Sequence, residues 1–470
     1  MPIKRSYFDY AATTPVDPRV RRAMLPYFSA RFGNAGSVHS FGQETLAAVD
    51  AARETIARSV GVEFREVIFT GSATEANNLA LRGVVSTHQR ITNSLRICEF
   101  VNSSPIRNSL ILPRIVVSAV EHDSVLNTAR DLERSGEIEL VVLPVNKNGV
   151  VNLKKLEGSL TENTVLVSIM YANNETGVIQ PISEISEVLR NFRAKSEKGQ
   201  AERGLSSRSP LSALRSPLFH TDAAQAFQFL DCNIGRLGVD LMTLSGHKIY
   251  GPKGVGALIV GSGKRKAESG KSGTELSALR SPLSAMLTGG GQEFGLRSGT
   301  ENVPAIVGFG KAVQLADRYR ERETKRISDL RNLFLRELNK FFPRAQLNGI
   351  SSTNNESVAN LRIRKFGSNS LFVDVLPNIL NVYFPGHDAQ DLLIRLDLAG
   401  IAVSAGPACS ARSLTASHVL LAMGHSPERA KNSLRFSFGR TTTTHEIRCL
   451  LYALKRILVN PARERARGIL

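Results

Sequence analysis

The sequence predicts an α/β fold on a mainly parallel sheet, and three observations carry that expectation. Seven short strand-like runs recur: Ile68 to Thr70, Ile115 to Ser118, Leu140 to Val145, Val165 to Met170, Leu218 to Thr221, Leu241 to Leu244 and Ala257 to Val260. Between them lie amphipathic stretches such as Leu46 to Val60, with apolar Leu46, Val49, Ile56 and Val60 on one face and Gly61 placed to cap the helix. Strand and helix patterns that alternate in this way build parallel α/β sheets. After Pro304 the pattern changes: a long helical stretch runs to about Phe341, then a strand and helix mixture ends in the amphipathic Ile447 to Leu458. The expectation is a large domain over 15–310 with seven strands, and a smaller α+β domain formed by 1–14 and 311–470.

A chain of 470 residues can bury a core of that size. No apolar run reaches the roughly 18 residues of a membrane span, and Met1-Pro2-Ile3-Lys4-Arg5 has no signal-peptide character, so a cytoplasmic protein is expected. The cysteines at 98, 232, 409 and 449 have no CxxC spacing, and the nine histidines form no HExxH or HxH pattern. That argues against a protein-only metal site and against a disulfide scaffold.

The net charge of +18 raises the question of nucleic acid, so its distribution matters. Residues 90–114, 190–217 and 262–284 together hold +11 of it. The octapeptide Leu-Ser-Ala-Leu-Arg-Ser-Pro-Leu occurs at 211–218 and again at 276–283, inside two of these segments. They read as low-complexity insertions into loops, which cost little in closure entropy. Either they are neutral insertions or they form a basic arm for RNA or an acidic protein. Nucleic acid is not the expected partner of the rest of the chain.

The chemistry centres on Lys248. The apolar run Val239 to Leu244 delivers it, through Ser245-Gly246-His247, into the turn Gly251-Pro252-Lys253-Gly254. A lysine with little water around it keeps a neutral amine more readily, and such an amine condenses with an aldehyde. Pyridoxal phosphate is the candidate aldehyde cofactor, and it needs a carboxylate for its ring nitrogen and a phosphate cradle. Asp222, in Phe219-His220-Thr221-Asp222-Ala223-Ala224-Gln225, closes another apolar run. In Val67-Ile68-Phe69-Thr70-Gly71-Ser72-Ala73-Thr74-Glu75, small residues between a strand and a helix offer free N–H groups to an anion. Singly, such a lysine is usually a surface residue and such an aspartate a helix cap. Together and in this order they resemble the class V aminotransferases, and within them the cysteine desulfurases of the nitrogen-fixation and iron-sulfur-cluster type. The likeness runs from Tyr7-Phe8-Asp9-Tyr10-Ala11-Ala12-Thr13-Thr14-Pro15 to Arg435-Phe436-Ser437-Phe438-Gly439-Arg440.

The resemblance implies pyridoxal-phosphate fold type I and assigns roles by position. His122, in Val120-Glu121-His122-Asp123-Ser124, matches a histidine that stacks on the pyridine ring and shuttles protons; read alone it would be a capping residue. Asn174 and Gln225 match side chains that hydrogen-bond the cofactor's phenolic oxygen. Ala73, Thr74, Ser245 and His247 match phosphate ligands. Thr300, in Leu296-Arg297-Ser298-Gly299-Thr300, matches one given across a dimer interface, which implies a homodimer. Arg435, with Asn34 as helper, matches the group that binds the substrate carboxylate; a planar guanidinium suits that partner, though a buried structural ion pair is the other reading.

Cys409 sets the expected reaction. It lies in the small, polar stretch 403–414, including Val403-Ser404-Ala405-Gly406-Pro407-Ala408-Cys409-Ser410-Ala411-Arg412, whereas Cys98 sits in an insertion and Cys232 and Cys449 beside apolar patterns. A thiol near pKa ~8.5 has a minor thiolate fraction, which Arg412 or His418 could raise. The resemblance implies that Lys248 removes the α proton of L-cysteine and that Cys409 takes its sulfur as a persulfide, releasing alanine. The sulfur then passes to an iron-sulfur scaffold or a sulfur carrier for tRNA thiolation; any metal at Cys409 would be shared with that scaffold. Two residues depart from the family pattern: Pro407 stands where Ser is usual, and Phe294 where Arg is usual. A class V aminotransferase has no need of Cys409; a selenocysteine lyase is the other alternative. An inactive RNA-binding protein of the same fold is the rival of another class.

Overall fold

The computed structural model describes residues 5–101, 112–202, 216–261, 283–349, 374–406 and 416–459. Its strands are β1 (Ser6–Tyr7), β2 (Val67–Thr70), β3 (Arg114–Ser118), β4 (Glu139–Leu143), β5 (Thr164–Ser168), β6 (Leu218–Asp222), β7 (Leu241–Ser245), β8 (Gly256–Val260), β9 (Gln346–Leu347), β10 (Ile379–Tyr383), β11 (Ile401–Ala402) and β12 (Ser433–Ser437). The first helices are α1 (Pro18–Met24), α2 (Ser40–Val60), α3 (Ala73–Val101), α4 (Asp123–Arg134), α5 (Leu153–Ser159) and α6 (Ile182–Glu202). Longer than all of these is the helix Val303–Phe341, with Pro304 in its first turn and Asn302 Oδ1 accepting from Ala305 N at 3.2 Å.

Seven strands form one sheet in the order β2-β8-β7-β6-β5-β3-β4. Only β8 runs antiparallel to its neighbours, β2 and β7. The pleat divides the apolar side chains between two faces. Val116, Val167, Phe219, Met242 and Ile259 pack with residues of α2 and the helix Val303–Phe341. Ile115, Val117, Leu166, Leu241 and Leu258 pack with residues of α3 and α4. A sheet covered on both faces needs the near-continuous apolar runs that the sequence contains.

Two further sheets complete the fold. β12, β10 and β9 pair antiparallel in that order, and β1 pairs parallel with β11. Residues 5–14 therefore reach from this small sheet to the large one: Ser437 N donates to Phe8 O, and Thr14 N to His247 O.

Three expectations shift. Residues 90–101 are the last turns of α3 and residues 190–202 those of α6, so the first part of each presumed insertion continues a helix. Neither helix contains a proline, so nothing stops propagation there. The third run was expected to reach Val145, but β4 ends at Leu143, because Pro144 has no N–H for the ladder. The rest of the three basic segments, apart from 112–114, 216–217, and 283–284, lies outside the described residues, and so do Pro407, Cys409 and Arg412. Among the described residues no helix is long and apolar enough to cross a membrane.

Candidate functional site

Asn174, Asp222, Gln225, Ser245, His247 and Lys248 stand at or after the C-terminal ends of β5, β6 and β7, His122 after β3, and Ala73 and Thr74 after the turn that follows β2, the edge where parallel sheets present their ligand crevices. β7 ends at Ser245, and one 3-10 turn, Gly246–Lys248, carries Lys248 out of the sheet. Its Nζ donates to Ala11 O at 2.6 Å and Ala12 O at 2.8 Å. Gln225 Nε2 also donates to Ala11 O, at 2.9 Å, so the lysine and the glutamine meet on one carbonyl of the N-terminal segment. His247 Nδ1 lies 3.1 Å from Thr13 Oγ1, and burial lowers the His247 pKa to about 4, helped by Lys248 and Lys253. At neutral pH this imidazole is uncharged.

Asp222 ends β6 and is 7% exposed. Its Oδ1 accepts from Ala224 N at 2.9 Å and its Oδ2 from Asn77 Nδ2 at 2.8 Å. Beneath it, His220 lies between Ser168 Oγ (2.8 Å) and Thr243 Oγ1 (3.1 Å), with a pKa lowered to about 4 by burial. His122 caps α4: its Nδ1 accepts from Ser124 N at 3.1 Å and lies 2.8 Å from Ser124 Oγ.

α3 begins at Ala73, directly after β2 and the turn Gly71-Ser72. That turn is tightly seated: a Cβ on Gly256 would lie 2.7 Å from Ser72 C and 2.9 Å from Ala73 N. Glu75 ties the turn to the loop of Thr300, its Oε2 accepting from Gly71 N at 2.8 Å and its Oε1 from Arg297 Nε at 2.8 Å. Ser245 Oγ is buried without a hydrogen-bond partner. That orphaned hydroxyl, with the free N–H groups at the start of α3, fits a phosphate. The primary amine of Lys248 and the buried carboxylate of Asp222 fit the aldehyde and ring nitrogen of pyridoxal phosphate.

Arg435, on β12, is 1% exposed. Its Nη2 donates to Asp9 Oδ1 at 2.7 Å, its Nη1 to Asn174 O at 2.9 Å, and its Nε has no partner. The ion pair that was the alternative reading thus exists, yet it leaves donors unspent. Asn34 Oδ1 serves its own turn, accepting from Gly36 N at 2.9 Å, and Thr300 is exposed. Among the described residues no hydrogen bond joins either to the cluster. Cys232 is buried, with its thiol pushed up to about 12, and Cys449 is half-buried 3.6 Å from His445 Nε2. The Cys98 side chain and all of Cys409 lie outside the described residues.

Sequence reasoning missed several groups here. Asn77 joins Asp222 to Ser124, and Asp9 pairs with Arg435. Glu121 is buried next to His122, with its carboxyl pushed up to about 8 by desolvation. Its Oε1 accepts from Ser118 Oγ at 2.5 Å and Met170 N at 2.8 Å, and its Oε2 has no partner. Glu175 is likewise raised by burial, and its Oε2 accepts from Ser417 Oγ at 2.6 Å. The neighbouring His418, suggested as a cation for Cys409, has its Nε2 3.0 Å from Glu121 O. No sequence periodicity marks Asn77 beyond its place in the first turns of α3.

The family model for class V aminotransferases matches residues 6–94, 112–195, 214–376 and 362–450. A cysteine desulfurase IscS from Dictyoglomus turgidum is 36% identical over 452 residues, spanning 96% of this chain and 94% of that protein. A mitosomal cysteine desulfurase from Trachipleistophora hominis is 38% identical, spanning 94% of this chain and 83% of the other. Among solved structures, one of a NifS-like protein superposes with a TM-score of 0.74 at 31% identity, covering 97% of this chain and 99% of that one. A NifS-like protein from Rickettsia africae gives 0.71 at 30% identity over 96% of this chain and 99% of that one. SspA in complex with cysteine gives 0.65 at 31% identity, over 92% of this chain and 98% of that one.

Proposed function

The chain belongs to the class V aminotransferase family, whose members depend on pyridoxal phosphate, and from that premise we propose that it is a cysteine desulfurase that moves sulfur from L-cysteine onto Cys409. The observation that carries this reading is the convergence of Lys248, Asp222 and the turn Gly71-Ser72 on one edge of the sheet, in a chain matched almost end to end by cysteine desulfurases. Pyridoxal phosphate, bound here, would supply an aldehyde for the substrate's amine and a ring that accepts the electrons freed at its α carbon.

The residues divide the remaining work. The N–H of Ala73, the side chains of Thr74 and Ser245, and neutral His247 hold the phosphate, with Thr300 of a second copy completing the cradle in a homodimer. Asp222 would pair with the ring nitrogen and favour its protonated form, Asn174 and Gln225 would address the phenolic oxygen, and His122 would serve the face of the ring. Lys248 Nζ gives up its hold on the Ala11 and Ala12 carbonyls and accepts the α proton. Arg435, helped by Asn34, uses its unspent N–H groups on the substrate carboxylate. The Cys409 thiolate forms a bond to the substrate sulfur as the carbon–sulfur bond breaks, and alanine leaves. The persulfide sulfur goes on to an iron-sulfur scaffold or a sulfur carrier in the cytoplasm.

The experiment is alanine and sulfide release from L-cysteine with a thiol reductant, with cofactor absorbance recorded beside Cys409→Ala and Lys248→Ala. Wild type turns over, Cys409→Ala keeps its cofactor but yields no sulfide, and Lys248→Ala loses the covalent chromophore. Consumption of other amino acids in place of cysteine, or a fully active Cys409→Ala, replaces this reading with a transaminase or lyase; faster turnover of selenocysteine names the lyase.

A further inference from the structure

We propose that Asn77 is a positioning residue that couples Asp222 to His122, holding the carboxylate and the imidazole in one hydrogen-bonded frame. The inference rests on the reading of these two as cofactor-contacting groups, and goes beyond it to a residue that reading does not use.

Asn77 is 0% exposed, on the first turns of α3. Its Nδ2 lies 2.8 Å from Asp222 Oδ2 and 2.8 Å from Ser124 Oγ. The amide orientation follows from chemistry: an ionised carboxylate only accepts, so the atom facing Asp222 must be the nitrogen. One N–H goes to Asp222 and the other to Ser124 Oγ. The direction of the next bond follows as well. The Ser124 backbone N–H points at His122 Nδ1 at 3.1 Å, so that nitrogen carries no proton in the neutral ring. The Ser124 hydroxyl, already accepting from Asn77, therefore donates to Nδ1 across 2.8 Å. His122 is left with its proton on Nε2, the nitrogen outside the relay.

One Asn77 N–H thus points at Asp222 and the other, followed by the Ser124 hydroxyl, points toward His122, so one amide group anchors both branches. Asn77, Ser124 and Asp222 are buried, where unmade hydrogen bonds are costly, and Asn77 Oδ1 has no partner of its own, so the two N–H bonds are what hold the amide in place. The chemical consequence of the frame is that neutral His122 can present only a donor, through Nε2, to whatever lies on the ring's outer face. A second proton would have to enter at Nδ1, the nitrogen that accepts from Ser124, and would break that end of the relay.

The test separates the two branches. Asn77→Leu, of similar volume, cuts both; Ser124→Ala cuts only the branch to His122. Removal of a hydrogen bond to a charged group costs enough for about a tenfold or larger change in an equilibrium. Apo Asn77→Leu should therefore bind pyridoxal phosphate on the order of tenfold more weakly than wild type, and loaded enzyme should lose kcat with KM for cysteine little changed. Ser124→Ala should lose kcat while its cofactor affinity stays at the wild-type value. The double variant should be no slower than Asn77→Leu alone, because the two residues act as one unit. Nitrogen-15 NMR of the apo protein, with His122 assigned by difference, should show unprotonated Nδ1 and protonated Nε2. The proposal is overturned by a protonated Nδ1 in the wild type, by equal loss of cofactor affinity in both variants, or by rate losses that multiply in the double variant. Should Asn77→Leu fail to fold, Ser124→Ala and the NMR spectrum decide alone. Cofactor titration and NMR need no substrate, so a protein that binds cofactor but does not desulfurate cysteine would refute the proposed function and leave this inference standing.

Discussion

The loop that carries Thr300 hangs from a buried ion pair, and breaking that pair should be among the most damaging changes outside the site. Glu293 and Arg53 side chains are 4% and 5% exposed, and their contact is a two-pronged fork: Nη1 to Oε2 and Nη2 to Oε1, each 2.7 Å. Glu293 Oε2 also accepts from Phe69 N at 2.8 Å, while Arg53 Nη1 donates to Val67 O at 2.5 Å. The guanidinium lies 4.7 Å from the Phe69 ring centre and 5.0 Å from that of Phe294. Arg53→Met removes both prongs and leaves a buried carboxylate with one backbone donor, a change that costs about 3–5 kcal/mol. Replacing Glu293 by Gln as well removes the stranded charge while keeping an acceptor for Phe69 N. The double variant should recover most of the loss, leaving about 1–2 kcal/mol, since a buried pair is worth far less than either half without the other. Denaturant midpoints of the four proteins, followed by circular dichroism at constant slope, give the cycle directly. A loss below about 1 kcal/mol for Arg53→Met, or a double variant as unstable as the summed singles, would refute the argument.

Other expectations follow from single contacts. Glu121, raised from 4.5 to about 8, keeps a proton in the folded protein that the unfolded chain releases above 4.5, so it makes stability fall as pH rises through 4.5 to 8. Glu121→Gln should flatten that decline in melting temperature, and an unchanged slope would show that the carboxyl is ionised. His220 and His247, lowered from 6.5 to about 4, act in the opposite sense, and their contribution is lost as pH falls from 6.5 to 4. Gly256→Ala pushes a methyl carbon to 2.7 Å from Ser72 C and should weaken cofactor binding by roughly tenfold or more, read by titrating apo protein; wild-type affinity would mean the turn gives way freely. Thr300→Ala should also weaken the cofactor although Thr300 is exposed in its own chain, and an unaffected affinity would count against the shared cradle.

The fold was legible where chemistry is local. Short apolar runs and Gly61 at φ 74° follow from period and cap, and the seven strands of the large sheet stand within a few residues of their expected places. Lys248, Asp222 and the turn before α3 were legible because each ends a strand. What the sequence could not disclose is contact across the chain. Asn77 and Asp222 are 145 positions apart, and Asp9 and Arg435 are 426, so no spacing rule links them. Phe294 was noted only as an unusual residue; its left-handed φ of 57°, beside Glu293 at 49°, appears once Arg53 stacks beneath it. The continuation of α3 and α6 was missed for the opposite reason, since basic composition was read as loop where nothing in the sequence broke a helix.

The N-terminal segment is a shared girder. Tyr7 stands in register with Ala402, Phe8 N donates to Ala402 O while Phe8 O accepts from Ser437 N, and four residues later the Ala12 carbonyl holds the Lys248 amine, with the Thr13 hydroxyl against the His247 ring. Ala402 lies just upstream of the stretch that carries Cys409. A displacement of Ala402 therefore has a path of only a few peptide units to the carbonyls that hold the Lys248 amine, and under the proposed function that path links the sulfur-accepting end to the proton-accepting one. Lengthening the girder by one inserted residue between Tyr7 and Ala11 would leave both sheets free to fold and yet put the two ends out of step.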